Sequence, residues 1–337
     1  MLVLVTGATG RIGHQLTRAL VRAGHTVRAF AGSDHPRAGL IAGPQVEFAA
    51  GRLEDVEAVN AAVRGVDAIY HLAAGLGSRG HSEEQIVDFN VRGTFNMLKA
   101  ARDHAPRLRQ FLYASSDAVY WSAAGLDASY LPVDEAHPRL AGSVYGAAKL
   151  GAEEMCWCFM RAWGIPATVL RFGATANIEE VINPHSRFSI WLYLGDAIRS
   201  LAGSAAPTPE QAESLDVLRR LDDGREQLVV FANPAGEPEV RQWADARDIA
   251  AGCVCALGNP AAFGETFNLG GYAPWTTAEL IQYMAPRLNL PYVTARMPIV
   301  RRPWYISSAK ARGLLGYTPR HSIFDMVDEA IQNRRSA

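Results

Sequence analysis

Residues 2–16 read Leu2-Val3-Leu4-Val5-Thr6-Gly7-Ala8-Thr9-Gly10-Arg11-Ile12-Gly13-His14-Gln15-Leu16. A short apolar run ends in a turn holding three glycines, and a segment of helical periodicity follows at once. Ile12, Leu16, Ala19, Leu20 and Ala23 share one face of that helix, and Gly24 closes it, as glycine commonly does. Glycine lets backbone approach a phosphate, while a helix N-terminus offers N–H donors and partial positive charge to it. A plain strand-to-helix turn explains one glycine. Gly7, Gly10 and Gly13 at this spacing predict the pyrophosphate of a dinucleotide, with Thr9, Arg11 and Ile12 as further cofactor contacts.

Outward from this turn the chain alternates. Thr26–Phe30, Val46–Ala49, Ala68–Leu72, Arg109–Ala114 and Ala167–Phe172 read as strands. Residues 55–63, 84–103 and 145–163 read as helices between them. Such alternation predicts an α/β fold, a Rossmann-type doubly wound parallel sheet with helices on both faces. After Gly173 the rhythm breaks into a smaller mixed part. There Phe188–Leu201, Glu210–Asp222, Asp248–Leu257 and Thr277–Leu288 read as helices, and Leu228–Phe231 and Thr266–Leu269 as strands. The expected division is a dinucleotide-binding domain over 1–173 and a mainly substrate-binding part over 174–337. Some segments of the latter, about 228–257, are expected to return to the Rossmann sheet.

Composition is that of an ordinary globular chain, with 49% apolar residues, 20% charged and a net charge of −1. No basic surplus points to nucleic acid. No run is apolar enough for a membrane span and no leader is visible, so a cytoplasmic protein is expected. The four cysteines form two Cys-x-Cys pairs, Cys156/Cys158 and Cys253/Cys255. Both sit in apolar helical stretches, which suits buried free thiols better than zinc, and no metal is expected. The second strand continues Arg28-Ala29-Phe30-Ala31-Gly32-Ser33 without the acid that would meet the ribose 2′-hydroxyl of NAD. That leaves room for a 2′-phosphate within reach of Arg28 or Arg37, so the cofactor is NAD or NADP with a lean to NADP.

Tyr145-Gly146-Ala147-Ala148-Lys149 puts a phenol and an ammonium four residues apart on one helix face. A phenol has a pKa of about 10, and lowering it by about three units needs roughly 4 kcal/mol of differential stabilisation. A lysine one turn away and a nicotinamide cation together supply charge of the right sign. Upstream, a strand ends in Tyr113-Ala114-Ser115-Ser116-Asp117, and hydroxyls at the C-terminal end of a parallel strand face the ligand crevice. Asp117 caps a turn or acts as an acid.

These motifs occur in a definite order. The glycine turn comes first, then His71-Leu72-Ala73-Ala74, Asn90 in Asn-Val-x-Gly-Thr, Ser115-Ser116-x-x-Val119-Tyr120 and Tyr145-x-x-x-Lys149. Leu170-Arg171-Phe172-Gly173, Arg247-Asp248-Ile249-Ala250, Phe267-Asn268-Leu269-Gly270-Gly271 and Leu315-Gly316-Tyr317-Thr318-Pro319 follow. The sequence resembles the extended short-chain dehydrogenase/reductases, the NAD-dependent epimerase/dehydratase family, over nearly the whole chain and most weakly over 174–235. The resemblance implies Tyr145 as acid/base, Lys149 as the group that tunes it and holds the nicotinamide ribose, and Ser116 as the hydroxyl on the reacting oxygen. It implies that Asn90 helps order the cofactor side or a proton relay, that Leu53, Leu72, Ala73 and Ala74 line the cofactor, and that Ser115 is structural.

Three departures bear on the substrate. Arg52 precedes Leu53 where an acid often meets adenine. Ala174 stands where sugar-nucleotide enzymes often place asparagine. Asp117-Ala118 replaces the Asp-Glu of dehydratases, which counts against dehydration. In sugar-nucleotide members an arginine seven residues before the aspartate of Arg247-Asp248 grips the diphosphate, a position held by Arg241. A second arginine lies upstream of Ala309-Lys310-Ala311, where Arg301 or Arg302 serves. With Ser116, Asp117 and Tyr145 these form the expected substrate site. The bland alternative pairs Arg241 with Glu239 or Asp245. The leading expectation is an epimerase or oxidoreductase of a nucleotide sugar. The alternatives are an NADP-dependent reductase of a small ketone or aldehyde, and a non-catalytic dinucleotide sensor. Apolar surface on 145–163 (Met155, Trp157, Phe159, Met160) predicts a homodimer packed through helices 84–103 and 145–163.

Overall fold

The first strand, β1 (Leu2–Thr6), is apolar enough to be buried on both faces, and it lies near the middle of a parallel sheet. β2 (Thr26–Phe30), β3 (Val46–Ala49), β4 (Ala68–His71), β5 (Gln110–Ser116) and β6 (Ala167–Phe172) follow, with the short β7 (Thr175–Ala176) behind them. Later come β8 (Leu228–Ala232), β9 (Val240–Arg241), β10 (Ala244–Asp245), β11 (Thr266–Leu269), β12 (Trp275–Thr276) and β13 (Tyr292–Arg296). The computed structural model describes residues 1–31, 35–76, 80–121, 128–204, 207–298 and 302–336.

The main sheet has seven strands in the order β11-β6-β5-β4-β1-β2-β3. Every pairing is parallel, with Val3 opposite Val27 on one side and Ala68 on the other. The order reverses between β1 and β4, and in open α/β sheets ligands bind outside the carboxyl ends of the strands at such a point. This is the Rossmann-type fold the alternation predicts. Helices α1 (Gly13–Arg22), α2 (Val56–Val63), α3 (Glu83–Val87), α4 (Gly93–His104) and α5 (Val144–Trp163) join its strands. Leu4, Ile69, Phe111, Tyr113 and Val169 from the sheet pack with Met97, Leu98, Cys156 and Phe159 from α4 and α5.

The helix expected over 84–103 is interrupted. A π turn over Asp88–Arg92 separates α3 from α4. The Asn90 side chain donates to the carbonyls of Ile86 (2.8 Å) and Gly75 (2.9 Å). Gly93 lies against Leu53, where a Cβ would fall 2.8 Å from Leu53 Cδ1. An extra residue in the turn lets Asn90 reach the loop after β4 while α4 still seats on Leu53.

The chain divides into two compact units. The first comprises Met1–Thr175, Ala246–Gly270 and Ile306–Pro319. It adds α9 (Ala246–Ala256) and α11 (Ala309–Leu315) to the sheet and its helices. The second comprises Ala176–Asp245, Gly271–Tyr305 and Arg320–Ala337, with α6 (Ile178–Val181), α7 (Leu194–Ala202), α8 (Pro209–Leu221), α10 (Thr277–Leu288) and α12 (Ile323–Ser336). The strand that rejoins the main sheet is β11, which pairs with β6. Leu228–Ala232, expected there, pairs instead with β13 inside the second unit. Its apolar run suits either sheet, and the β13 partner was not legible as a strand in the sequence. Leu194, Ala197, Leu218, Val229, Phe231, Ala295 and Met297 form that unit's core.

Cys156 and Cys253 are buried, Cys158 is exposed and Cys255 lies between. Among the described residues no helix is long and apolar enough to cross a membrane.

Candidate active site

The glycine turn is built to the limit of what glycine permits. Gly7 has φ +65°, and a Cβ there would fall 3.0 Å from the backbone of Ala73. A Cβ on Gly10 would sit 3.0 Å from Gly7 O, and one on Gly13 only 2.0 Å from it. The N-cap Ile12 makes no side-chain cap and the first turn of α1 carries no acid, so neither competes with an incoming anion. The loop after β4 forms the neighbouring wall. Thr6 Oγ1 accepts from the amide of Ala73 (3.0 Å) and bonds His71 Nδ1 (2.9 Å), while His71 Nε2 meets Thr94 Oγ1 (3.1 Å). Burial, with the charge of Lys149 behind it, pushes the His71 imidazole down to about 3. Leu72, Ala73 and Ala74 thus follow a strand end locked to β1. A cradle that side chains would fill, at a helix start without acid, fits a dinucleotide pyrophosphate.

Asn90 Oδ1 is buried without a hydrogen-bond partner while its Nδ2 holds the Gly75 carbonyl. Leu53 is buried, and its carbonyl accepts from Asn96 Nδ2 at 2.9 Å. Arg28 does not stand free for a 2′-phosphate. It is paired with Glu47 and donates to the carbonyls of Ala62 (2.8 Å) and Arg64 (2.7 Å), which withdraws the part of the NADP lean that rested on it. Gly32, Ser33 and Asp34, where the ribose would be read, lie outside the described residues.

Ser116, Tyr145 and Lys149 come from two elements packed on each other. Ser116 ends β5 and caps a short 3₁₀ turn over Asp117–Val119. Its Oγ accepts from the Ala118 amide (3.2 Å) and donates to Asp117 Oδ1 (3.2 Å). The turn's cap is therefore Ser116, and Asp117 is its buried partner. Ser143 caps α5, which puts Tyr145 in its first turn. Gly146 lets α5 seat on the 3₁₀ turn, for a Cβ there would fall 2.5 Å from Ala118 O. Lys149 is buried and donates to Ala114 O at 2.8 Å. Its ammonium lies 4.9 Å from the Tyr113 ring centre and 5.9 Å from that of Tyr145. Burial pushes the Lys149 ammonium down to about 7, against the upward pull of Glu153.

Sequence reasoning missed what lies beneath. Glu153, fully buried, accepts from Ser115 Oγ (2.5 Å) and from Arg171 Nε (2.9 Å) and Nη2 (2.7 Å). Arg171 Nη1 donates to Tyr120 Oη (2.6 Å), whose own hydroxyl donates to Asn268 Oδ1 (2.8 Å). The available signal was Glu153 itself, four residues beyond Lys149 on the same helical stripe.

In the second unit, Arg241 lies on β9 with its side chain 11% exposed, paired with Glu239 at 2.7 Å. Its guanidinium lies 4.8 Å from the Trp191 ring centre. Both border a cavity of about 180 Å³ whose wall also includes Ile190, Leu218, Phe231 and Met297. Trp191 continues into an aromatic cluster with Phe188, Trp243 and Trp275. Arg302 is exposed, and Arg301 lies outside the described residues.

A cradle at the switch point, with a Ser/Tyr/Lys group beyond the neighbouring strand, defines a nicotinamide-dependent enzyme of short-chain dehydrogenase/reductase type. The chain belongs to the NAD-dependent epimerase/dehydratase family, whose sequence profile matches residues 3–176. It is 31% identical to a short-chain dehydrogenase/reductase superfamily protein from Agrobacterium tumefaciens solved with bound NAD, with a TM-score of 0.86, 100% of this chain and 98% of that one being covered. An uncharacterised UDP-glucose epimerase of Bacillus subtilis (strain 168) is 26% identical over 275 residues, 80% of this chain and 74% of that protein. A uronate dehydrogenase of Pseudomonas syringae pv. tomato is 30% identical over 201 residues, 59% of this chain and 67% of that protein.

Proposed function

We propose that the protein is an epimerase or oxidoreductase of a nucleotide sugar, with Tyr145 as its acid/base. The observation that carries the substrate class is the Arg241 guanidinium, held over Trp191 at the wall of a mainly apolar cavity that Glu239 and Ser200 also line. An indole and apolar side chains suit a nucleobase, and a guanidinium suits diphosphate oxygens. Arg302 and Arg301 belong to the same reading as further diphosphate contacts.

A nicotinamide bound there would supply a hydride acceptor for oxidation of the substrate carbinol and a hydride donor for the reverse reduction. Tyr145 Oη takes the hydroxyl proton in the first direction and gives it back in the second. Lys149, tethered to Ala114 O, lies beside the Tyr145 ring, and its protonated form favours phenolate there. Ser116 redirects its O–H from Asp117 to the substrate oxygen. Gly7, Thr9, Gly10, Arg11, Ile12 and Gly13 hold the pyrophosphate, and Leu53, Leu72, Ala73, Ala74 and Asn90 line the rest of the dinucleotide. Lys149 also holds its nicotinamide ribose. The assembly proposed is a cytoplasmic homodimer.

The pairing of Glu239 with Arg241 favours a second reading, since a resident carboxylate already neutralises the guanidinium. In it the enzyme reduces a small ketone or aldehyde with NADPH. The experiment is a panel of UDP-hexoses, UDP-hexuronates and small carbonyls, each with NAD and NADP, followed by NMR of the sugar and absorbance of the nicotinamide. A new UDP-sugar epimer, or NADH formed from a UDP-sugar, supports the first reading. Turnover confined to small carbonyls replaces it with the second.

A further inference from the structure

Two consecutive residues at the end of β5 are tied to two residues spaced by four along α5. Ala114 O accepts from Lys149 Nζ, Ser115 Oγ donates to Glu153 Oε1, and Ser116 is the hydroxyl proposed to act with Tyr145. Tyr145, Lys149 and Glu153 form one stripe of the helix. Two ties one turn apart fix the strand end both along α5 and around it, which one tie would not do.

Glu153 is held in turn. Arg171 lies on β6 directly opposite Ser115 in the sheet register, and it grips both carboxylate oxygens of Glu153. Arg139, from the segment before α5, comes within 3.8 Å of the same carboxylate. A carboxylate with 0% exposure would be costly without these partners. With them it is a fixed acceptor, and the planar guanidinium sets its orientation as well as its charge.

We propose that Glu153, clamped by Arg171, is a positioning residue of this active site. Through Ser115 it sets the end of β5 against α5, and so places Ser116 in register with Tyr145 and Lys149. This rests on the roles proposed above for those three residues. It adds a reason for keeping a buried ion pair, since apolar side chains of similar volume often replace such pairs without loss of stability.

Two variants test it, each prepared with NAD. Ser115→Ala removes the tie and leaves the Glu153–Arg171 pair intact. The double variant Glu153→Met/Arg171→Met replaces the pair by apolar volume. Both should melt within a few degrees of the parent and bind NAD as tightly. In both, kcat for whichever substrate the panel identifies should fall about tenfold or more, with KM changed far less. Crystal structures of both with NAD should show Ser116 Oγ displaced from its place relative to Tyr145 by more than about 0.5 Å, the tolerance of a working constellation. This readout needs no substrate, so an inactive parent would end the functional reading and leave this proposal to be decided by the displacement. Ser116 unmoved in both variants, or full kcat in the double variant, would overturn it.

Discussion

Gly13 and Gly7 touch so closely that a Cβ on Gly13 would lie 2.0 Å from the carbonyl oxygen of Gly7. That oxygen already accepts from the amide of Gly10 at 2.9 Å, so the turn cannot yield without losing its own hydrogen bond. Gly13→Ala should force the cradle open at a cost of about 1–3 kcal/mol, the usual penalty of overpacking. NAD affinity should fall roughly 10- to 100-fold. Titration of NAD by calorimetry checks it, and an unchanged Kd would place the pyrophosphate elsewhere.

Tyr145→Phe removes one proton-transfer group and little volume. Turnover should fall by about 10²–10⁴-fold, while NAD binding stays near the parent value. Full activity in the Phe variant would make Tyr145 a bystander.

The course of β1, its glycine turn and α1 was legible because strand periodicity passes into helical periodicity through residues with one evident use. The Tyr145/Lys149 pair was legible from its spacing and Ser116 from its place at a strand end. What escaped is what depends on distant partners. Glu153 acquires its meaning from Ser115 and Arg171, which reach it from β5 and β6. The Asn90 π turn depends on a carbonyl fifteen residues upstream in the chain. Arg28 looked available for a phosphate because nothing local shows that Glu47, Ala62 and Arg64 surround it. β8 reads as a strand, but its partner β13 turns only Val293 and Ala295 inward between exposed Tyr292, Thr294 and Arg296, too small an apolar set to betray the pairing.

Arg241→Ala should raise KM for a nucleotide-sugar substrate by roughly 10- to 100-fold, as expected for about 1.5–3 kcal/mol of charged hydrogen bonding. NAD affinity should stay the same. Steady-state kinetics on the UDP-sugar and on UDP inhibition measure this. If KM is unmoved, Arg241 serves only its ion pair with Glu239 and the small-carbonyl reading gains.

His71 carries a pH prediction. Buried between Thr6 and Thr94, its imidazole is held neutral down to about 3, whereas in the unfolded chain it takes a proton near 6.5. Between those values the unfolded state binds more protons, so stability is lost as pH falls from 6.5 towards 3. The loss from this group amounts to about 2 kcal/mol at pH 5. Urea denaturation at pH 7.5 and pH 5 should show a smaller difference in His71→Gln than in the parent. Equal slopes would exclude His71 as a source of the acid sensitivity.

Of the apolar residues from which a dimer is expected, Phe159 is buried and Met155, Trp157 and Met160 pack against the core, so the proposed dimer rests instead on α4 and α5 at Phe95, 44% exposed, and Trp163, 50%. Phe159 packs between them, 6.1 Å from Phe95 and 4.6 Å from Trp163 by ring centres. Phe95→Asp/Trp163→Asp should convert a dimer to a monomer in sedimentation at micromolar concentration. A parent that already sediments as a monomer would remove the assembly from the proposal.

The chain passes between its two units at 175/176, 245/246, 270/271, 305/306 and 319/320. Neither unit is therefore a cassette that recombination could lift out in one piece. Transplanting the second unit from a relative would mean exchanging three separate stretches together. A chain severed after Thr175 would strip β11 from β6 and leave an unpaired apolar edge open to aggregation. The two units are thus inherited as one interleaved chain, and neither can be exchanged by a single crossover.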